Sequence, residues 1–567
     1  MNIDLENFIK EYHNKTICLT DTEKKNIIGQ LQKDNLKDWI IYYIITNDKN
    51  ALVKAYFYLS STTIEDNLPY IKQLFLTTKE YALFFGDIFD NKFYTFDTKS
   101  KKMFIYIYWH IYCEGLDKDY IYFYKVLKKV FYKEIENNNS EILFYLYLPL
   151  IFSHNAILNN QKAFKKFNKQ IEKKLAKHIK KYMVPKYHIE KFKPKENKNK
   201  KIKVAFVMDR AVMHSVNNVL KNLLLALKKS KNKKYKFIIL SIDHYDFGPS
   251  TPEVENLFKE IGFDYYNLHK ILKCDNSPFY NQVEKAIQIR EFIINKNIDT
   301  MIFNGSAHAT YNFLATTRVA KNQVYWSHGD CEYNIKGIDK RISHFTQECK
   351  QYHWDIFNLP IDRKAYLGTT EDKKQAKLIK QEYLKFFGKD TIILGTIGRL
   401  IKIDNGEYIK AISKIMKKNK NTIYLACGSG DQENIKKLLK KYNIDKDRFL
   451  FLGHINSDVY GWVIDVWPDS FPTPQGQSRD EFMSKGNGVV IFSLQDKYKE
   501  DRKNFMNVYK NEFYFNLSFP KTQEDYIKSA NWLIQNKKDF NILKVMNKQD
   551  IRKILGSESI TIQRIFK

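Results

Sequence analysis

The feature that most limits what this chain can fold into is an alternation that begins after Lys201 and restarts near residue 390. Short β-branched or aromatic runs, "IKVAFVMDR", "YKFIILSID", "DTMIFNG" and "NQVYWSHGD", each end in a polar or Gly-containing turn. Between them stand stretches with apolar residues at helical spacing, such as "VNNVLKNLLLALKK" and "QVEKAIQIREFIINKN". The second round reads "DTIILGTIGRL", "EYIKAISKIMKK", "NTIYLACGSGD", "ENIKKLLKKY", "RFLFLGHI", "DVWPDSF" and "GNGVVIF". Strand–helix alternation of this kind predicts an α/β fold with parallel sheets covered by helices on both faces, here in two successive units. Ligands of such sheets bind beyond the carboxyl ends of the strands, so the turns that follow the strands are the first places to look for chemistry.

The chain before this alternation has a different texture. Up to about Tyr187 it lacks Gly- and Pro-rich turns, and segments such as "KSKKMFIYIYWHIYCEGLDKDYIYFYKVLKKVFYKEI" and "QKAFKKFNKQIEKKLAKHIKKYM" repeat apolar positions at helical spacing. Packed helices without a fixed repeat are expected there. The charged, Pro-bearing segment "KFKPKENKNKK" reads as a linker. The expected organisation is an all-helical domain over 1–190, a linker over 191–201, and two α/β domains over 202–385 and 386–567.

At 567 residues the chain exceeds what one core organises. Its formal charge of +30 comes from lysines spread over almost every polar stretch, often beside Asn and Ile. With no RNA-reading aromatic motif and no zinc-finger spacing, that charge reads as a solvated surface, and no nucleic-acid partner is expected. Peripheral attraction to anionic lipid headgroups stays open. No run approaches the roughly 18 apolar residues of a membrane span, and "MNIDLENFIKEYHNK" lacks the basic and apolar regions of a secretory signal. Six scattered cysteines (Cys18, Cys113, Cys274, Cys331, Cys349, Cys427) suit reduced thiols, so a cytoplasmic compartment is expected.

Four strand-end turns of the second α/β unit carry ligand-compatible groups. The first is Gly398-Arg399-Leu400-Ile401-Lys402, where glycine permits close backbone approach and the two cations suit phosphate oxygens. The second, Cys427-Gly428-Ser429-Gly430-Asp431, opens a helix whose free N–H groups suit an anion, or is a plain glycine turn. In the third, Gly453-His454, backbone meets a flat base while His454 lies near phosphates, unless it is a solvated turn residue. The fourth, "DSFPTPQGQSRDEFMSKGNGVVIF", offers backbone N–H groups and amides at Gln475, Gly476, Gln477 and Ser478, then Glu481 near a helix start. There a carboxylate can accept hydrogen bonds from a ribose; Ser478-x-x-Glu481 is equally the pattern of a helix capping box.

These pieces, in this order, resemble the GT-B glycosyltransferases, in which two Rossmann-like domains face each other across a nucleotide-sugar cleft. "GRLIK", "YLACGSGD", "FLGHI", "VYGWVIDVWPDSF" and "PQGQSRDEFMSKGNGVV" carry the likeness. The chain is more narrowly similar to glycosyltransferase family 41, especially the cytoplasmic N-glycosyltransferases that modify bacterial adhesins, which also place helices before two GT-B halves. The resemblance implies that Lys402 meets the nucleotide diphosphate and Glu481 the ribose, with a nucleotide-sugar, UDP-linked hexose foremost, as donor. It implies an acceptor on the N-terminal Rossmann-like domain, an Asn or Ser/Thr of a protein, with the helical domain helping to hold it. The His214-Ser215 pair of "DRAVMHSVNNVL", beside Asp209 and Arg210, matches a loop that faces the donor; as an N-cap pair it would simply start a helix. His328, Gly329 and Asp330 of "YWSHGDCEYN" are a further acceptor-side turn or a satisfied loop. Retaining relatives of family 4 carry a glutamate where Thr473 stands, which favours inversion, and Gln475-Gly476-Gln477-Ser478 replaces the Asn-Thr-Asn-Gly turn of the adhesin-modifying enzymes.

No metal or cofactor is expected. The Asp-x-Asp matches, Asp117-Lys118-Asp119 and Asp445-Lys446-Asp447, sit in Lys-rich turns, and Arg399 and Lys402 with helix N-termini can neutralise a leaving diphosphate. No phosphate-binding Gly-x-x-x-x-Gly-Lys loop and no Gly-x-Ser-x-Gly elbow occurs. Two other readings compete: a transferase of surface polysaccharide or lipid-linked glycan assembly at the inner membrane face, and a non-catalytic protein-binding scaffold built on a degenerate GT-B unit.

Overall fold

The computed structural model describes residues 19–32, 36–46, 93–114, 120–157, 161–194, 201–212, 214–243, 250–274, 279–306, 308–329, 332–344, 352–357, 367–472, 474–492, 509–537 and 540–545, with a few single positions besides. Asp330, Thr473, the Asp117–Asp119 match and residues 195–200 of the expected linker lie outside them. The chain divides into two compact units, one of residues 1–212 with 233–341, the other of 213–232 with 342–567.

The first unit begins with helices, as the spacing of apolar residues predicts. Helices α1 (Thr98–Glu114), α2 (Tyr120–Glu136) and α3 (Ser140–Ile157) precede a helical run from Gln161 to Lys186. That run widens into π turns at Asn168–Glu172 and Ile179–Met183. Ile142 to Leu150 of α3 are buried without a break, so this helix is surrounded by protein on all sides over that stretch. Buried Lys101 pairs with the enclosed Glu134 at 3.0 Å, which offsets part of the cost of removing both charges from water. No helix among the described residues is long and apolar enough to cross a membrane.

A seven-stranded sheet follows in the order β3-β2-β1-β4-β5-β6-β7: β1 (Ile202–Met208), β2 (Tyr235–Ser241), β3 (Asp264–Asn267), β4 (Thr300–Asn304), β5 (Asn322–Ser327), β6 (Lys340–Ser343) and β7 (Asp355–Ile356). Strands β1 to β5 pair in parallel, Val204 opposite both Phe237 and Thr300. Along the chain, α4 (Ser215–Lys229) links β1 to β2, α5 (Gln282–Asn295) precedes β4, and α6 (Ala309–Thr317) links β4 to β5.

The second unit holds a five-stranded parallel sheet in the order β10-β9-β8-β11-β12: β8 (Ile392–Ile397), β9 (Thr422–Cys427), β10 (Phe449–Gly453), β11 (Val466–Pro468) and β12 (Gly488–Val490). Its helices are α7 (Thr370–Phe387), α8 (Gly406–Lys418), α9 (Glu433–Lys441), α10 (Ser457–Val463), α11 (Gln477–Ser484) and α12 (Gln523–Gln535). Alternate residues of each strand serve opposite cores. Leu394, Tyr424 and Ala426 pack with Tyr408, Ile409 and Ile412 of α8 and Leu533 of α12. Ile393, Ile423 and Leu425 pack with Val459 and Val463 of α10 and Phe482 of α11. Continuous apolar strands are therefore what a sheet covered on both faces requires.

Candidate functional site

In the second unit the strand order reverses between β8 and β11, and at such a switch point the two flanking connections leave in opposite directions and open a crevice. The turns after β8 and β11 meet there. A Cβ on Gly398 would collide with the Gln475 amide, and a Cβ on Gly428 with the Gly398 carbonyl oxygen. The turns after β8, β9 and β10 are laced by backbone hydrogen bonds. Gly398 N–H donates to Cys427 O at 2.8 Å, Leu400 N–H to Ser429 O at 3.0 Å and Gly428 N–H to Gly453 O at 2.7 Å. Gly428 has φ +147°, which side-chain-bearing residues rarely adopt. Of the glycines at this edge, Gly453 and Gly476 have open space where a Cβ would stand, so a ligand can reach their backbone.

Beneath the turns lies a ladder of hydroxyls. Thr396 Oγ1 and the Tyr424 hydroxyl are 2.9 Å apart, Tyr424 and Tyr408 hydroxyls 2.7 Å, and the Tyr408 hydroxyl donates to Pro468 O at 2.7 Å. The ladder ties β8, β9, α8 and β11 together just below the crevice.

The charged groups of this edge divide into exposed and enclosed sets. Arg399 and His454 are exposed. Lys402, in a single 3-10 turn, donates from Nζ to Pro474 O at 3.1 Å, which brings its ammonium onto the loop after β11. The loop itself is fixed by Asp469, a residue missed by sequence reasoning although it stands in the stretch singled out. Fully enclosed, its carboxylate accepts from the Trp467 indole N–H at 2.9 Å, the Gln475 backbone N–H at 3.1 Å and Arg479 Nη1 at 3.4 Å. Burial lifts this carboxyl above the usual range; Arg479, those donors and Lys402 restrain the rise.

Two local readings are corrected. Glu481 and Ser478 do not form a capping box. Helix α11 starts two residues earlier than the pattern assumes, at Gln477 with Gly476 as N-cap, and the Ser478 hydroxyl donates instead to Ile397 O at 2.7 Å. Glu481 is buried in the second turn, accepts from Asn218 Nδ2 at 3.4 Å, and is pushed by burial up to about 7, with Lys485 working against the rise and Asp458 and Asp480 adding to it. At the start of α9 the Asp431 carboxylate already accepts from the Glu433 N–H at 3.0 Å, so that helix end offers an anion less than the sequence suggested. Asp445 likewise accepts from the Asp447 N–H at 2.9 Å and shapes the turn before β10.

His214, in the second unit, is exposed and caps α4, its Nδ1 accepting weakly from the Asn217 N–H at 3.4 Å. Ser215 is the first residue of that helix.

In the first unit the strand order reverses between β1 and β4. Asp209, just after β1, is half-buried with one carboxylate oxygen enclosed, and its carboxyl is pushed up to about 6 by desolvation, with the Tyr311 hydroxyl and Arg210 drawing it back. His328, after β5, stacks on Trp326 at 4.6 Å between ring centroids and hydrogen-bonds through Nε2 to Asn304 Oδ1 at the end of β4. His308 beside them is enclosed and pushed down to about 3 by burial and by Lys285 and Arg210, so it is a neutral imidazole. Asn304, His308 and Tyr311 were not singled out in the sequence, although the turn after β4 obeys the same strand-end rule.

No protein-family model and no curated protein sequence matches the chain. Among solved structures it is similar to a single-substitution mutant of the Thermobaculum terrenum O-GlcNAc transferase, 12% identical, with TM-score 0.51, over 100% of this chain and 97% of that one. It is also similar to a mutant of TarM of S. aureus in complex with Fondaparinux, alpha-GlcNAc-glycerol and UDP (12%, TM-score 0.43, 65% and 99%). A third likeness is to HepE of Anabaena in complex with UDP and glucose (13%, TM-score 0.39, 64% and 95%). The fold is GT-B, as the resemblance implied, preceded by an all-helical region, as the order of elements predicted.

Proposed function

We propose that this protein is a glycosyltransferase that moves a hexose from a nucleotide-sugar, foremost a UDP-sugar, to an Asn or Ser/Thr side chain of a protein. The observation that carries the reading is the lacing of the Gly398, Gly428 and Gly453 turns by backbone hydrogen bonds at the switch point of the second sheet, with Gly398 lying against the buried Gln475. Bare backbone at Gly453 and Gly476 lets a base and a diphosphate approach, Arg399 and Lys402 supply positive charge to the diphosphate, and Glu481 accepts from the ribose. The Gly428-Ser429 turn and the Gln475-Gly476-Gln477-Ser478 loop line the phosphates and the sugar. His454 stands at the base end.

In this reading the reaction needs no metal: the acceptor attacks the anomeric carbon with inversion as the bond to the diphosphate breaks, and Lys402 and Arg399 take up the charge that develops on the leaving group. His214, His328 and Asp330 are assigned to assisting the attack of the acceptor, with Asp209 the carboxyl best matched to taking a proton near neutral pH. The helical region contributes to holding the protein acceptor, in the cytoplasm.

The test is thermal-shift binding of the full chain against UDP, GDP and CMP and their sugars, with and without EDTA. A shift with one nucleotide that survives EDTA and disappears in Lys402→Ala and Glu481→Ala is expected. No shift with any member would hand the lead to the scaffold reading. A binder that then transfers sugar to lipid-linked glycan and to no protein would move the acceptor, leaving the donor site in place.

A further inference from the structure

We infer that Asp469 is a positioning residue for the donor loop, and that what it positions is the Gln475 side-chain amide, held as a donor to an oxygen of the bound diphosphate; the inference rests on the donor site proposed above. The enclosed Asp469 carboxylate receives N–H groups from before, within and after the loop: Trp467 Nε1, the Gln475 backbone and Arg479. Its own backbone is pinned as well, N–H to Val490 O at 2.8 Å and carbonyl to the Tyr526 hydroxyl at 2.9 Å. On the opposite side Lys402 holds the Pro474 carbonyl. The loop is thus clamped at consecutive residues, Pro474 from Lys402 and Gln475 from Asp469.

The clamp leaves one group unused. Gln475 is 4% exposed, and its Nε2 is buried with no hydrogen-bond partner. Side-chain amides enclosed in protein are nearly always satisfied, because the water they gave up must be replaced. Here the amide sits in the space that the missing side chain of Gly398 leaves, beside the turn that carries Lys402. A buried donor beside a lysine at a sheet switch point suits an acceptor oxygen with negative charge, and a diphosphate brings several. The glycine at 398 and the carboxylate at 469 then serve the same end, one making room for the amide and the other fixing the backbone from which it projects. Asp469 itself touches no ligand.

The experiment is isothermal titration of the full chain with UDP and, separately, with uridine, for wild type, Gln475→Ala and Asp469→Asn. Gln475→Ala is expected to weaken UDP about tenfold while uridine stays within about twofold, the loss of one charge-assisted hydrogen bond. Asp469→Asn should show the same selective loss with an unchanged uridine affinity, a discrimination that general destabilisation would not produce. If Asp469→Asn does not fold, Arg479→Met, which removes the 3.4 Å partner of Asp469 together with the exposed-side pairing of Arg479 to Asp480, takes its place. Wild-type UDP affinity in Gln475→Ala, or an equal loss of both ligands, overturns the inference and leaves the donor site standing. Wild-type affinity in Asp469→Asn overturns the part given to Asp469. A wild type that binds neither ligand overturns the proposed function, and this inference with it.

Discussion

Single residues decide most of the chemistry proposed for the second unit, and Glu481 is the most exposed to test. Its carboxyl is raised from an ordinary 4.5 to about 7 by burial, so the folded protein binds this proton more tightly than the unfolded chain does. Native protein then carries more protons between these values, and Glu481 lowers stability as pH climbs from about 4.5 to 7. The groups facing it are Lys485, Asp458, Asp480 and Lys221. Glu481→Gln should match wild type in unfolding midpoint at pH 4.5 and exceed it at pH 8, by about 2 kcal/mol, a few degrees in a melt. Nucleotide affinity should run the other way, because a ribose hydroxyl needs the ionised carboxylate: UDP binding of the wild type should strengthen from pH 6 to 8, and Glu481→Gln should flatten that profile. Gly428→Ala asks a simpler question. With φ +147° and the Gly398 carbonyl in the way, a methyl there forces the two turns apart, and a stability loss of about 2 kcal/mol or more with weakened UDP binding is expected. Denaturant melts and titration together check it.

Among the elements, the hydroxyl ladder below the crevice is where packing and site are joined. Tyr408→Phe removes the donor to Pro468 O and one partner of Tyr424, all fully enclosed, so a loss of about 1–3 kcal/mol is expected in a denaturant melt. The elements that were legible in the sequence share a physical cause. Strands β1, β2, β4, β5 and β8 to β10 are continuous apolar runs because helices cover both their faces, and a run of that kind stands out against lysine-rich turns. What escaped notice lacks that contrast. Strand β3 is four residues of "DYYN", mostly half-buried, β7 is two, and α7 buries Ala376 alone among eighteen charged and polar-rich positions, so its sequence looks like any solvated stretch. The site was legible as turns but not as contacts. That Gly398 and Gln475 meet follows from strand order, which local pattern does not encode. Asp469 looked like one more loop acid until its burial was visible. The capping-box pattern failed by two residues, because Gly476, not Ser478, ends up at the helix boundary.

For the molecule as a whole, ligand effects should be confined to part of the chain. Hydrogen exchange measured with and without UDP should show added protection in 394–403, 427–431, 453–456 and 469–485, the segments that form the crevice edge, and little in α1 to α3. At UDP one hundred times its Kd the stabilisation expected from mass action is about 2.7 kcal/mol. Protection spread evenly over the chain would speak against a site built on the second sheet. The division into units has a further consequence for how the chain can be cut. Residues 213–232, which include α4, belong with 342–567, although the chain on either side of them belongs to the other unit. No single cut therefore yields two whole units: a fragment beginning at residue 342 is short of one helix, and the remainder carries that helix as an orphan with its row of leucines. Such halves should be insoluble when made apart and recover when made together.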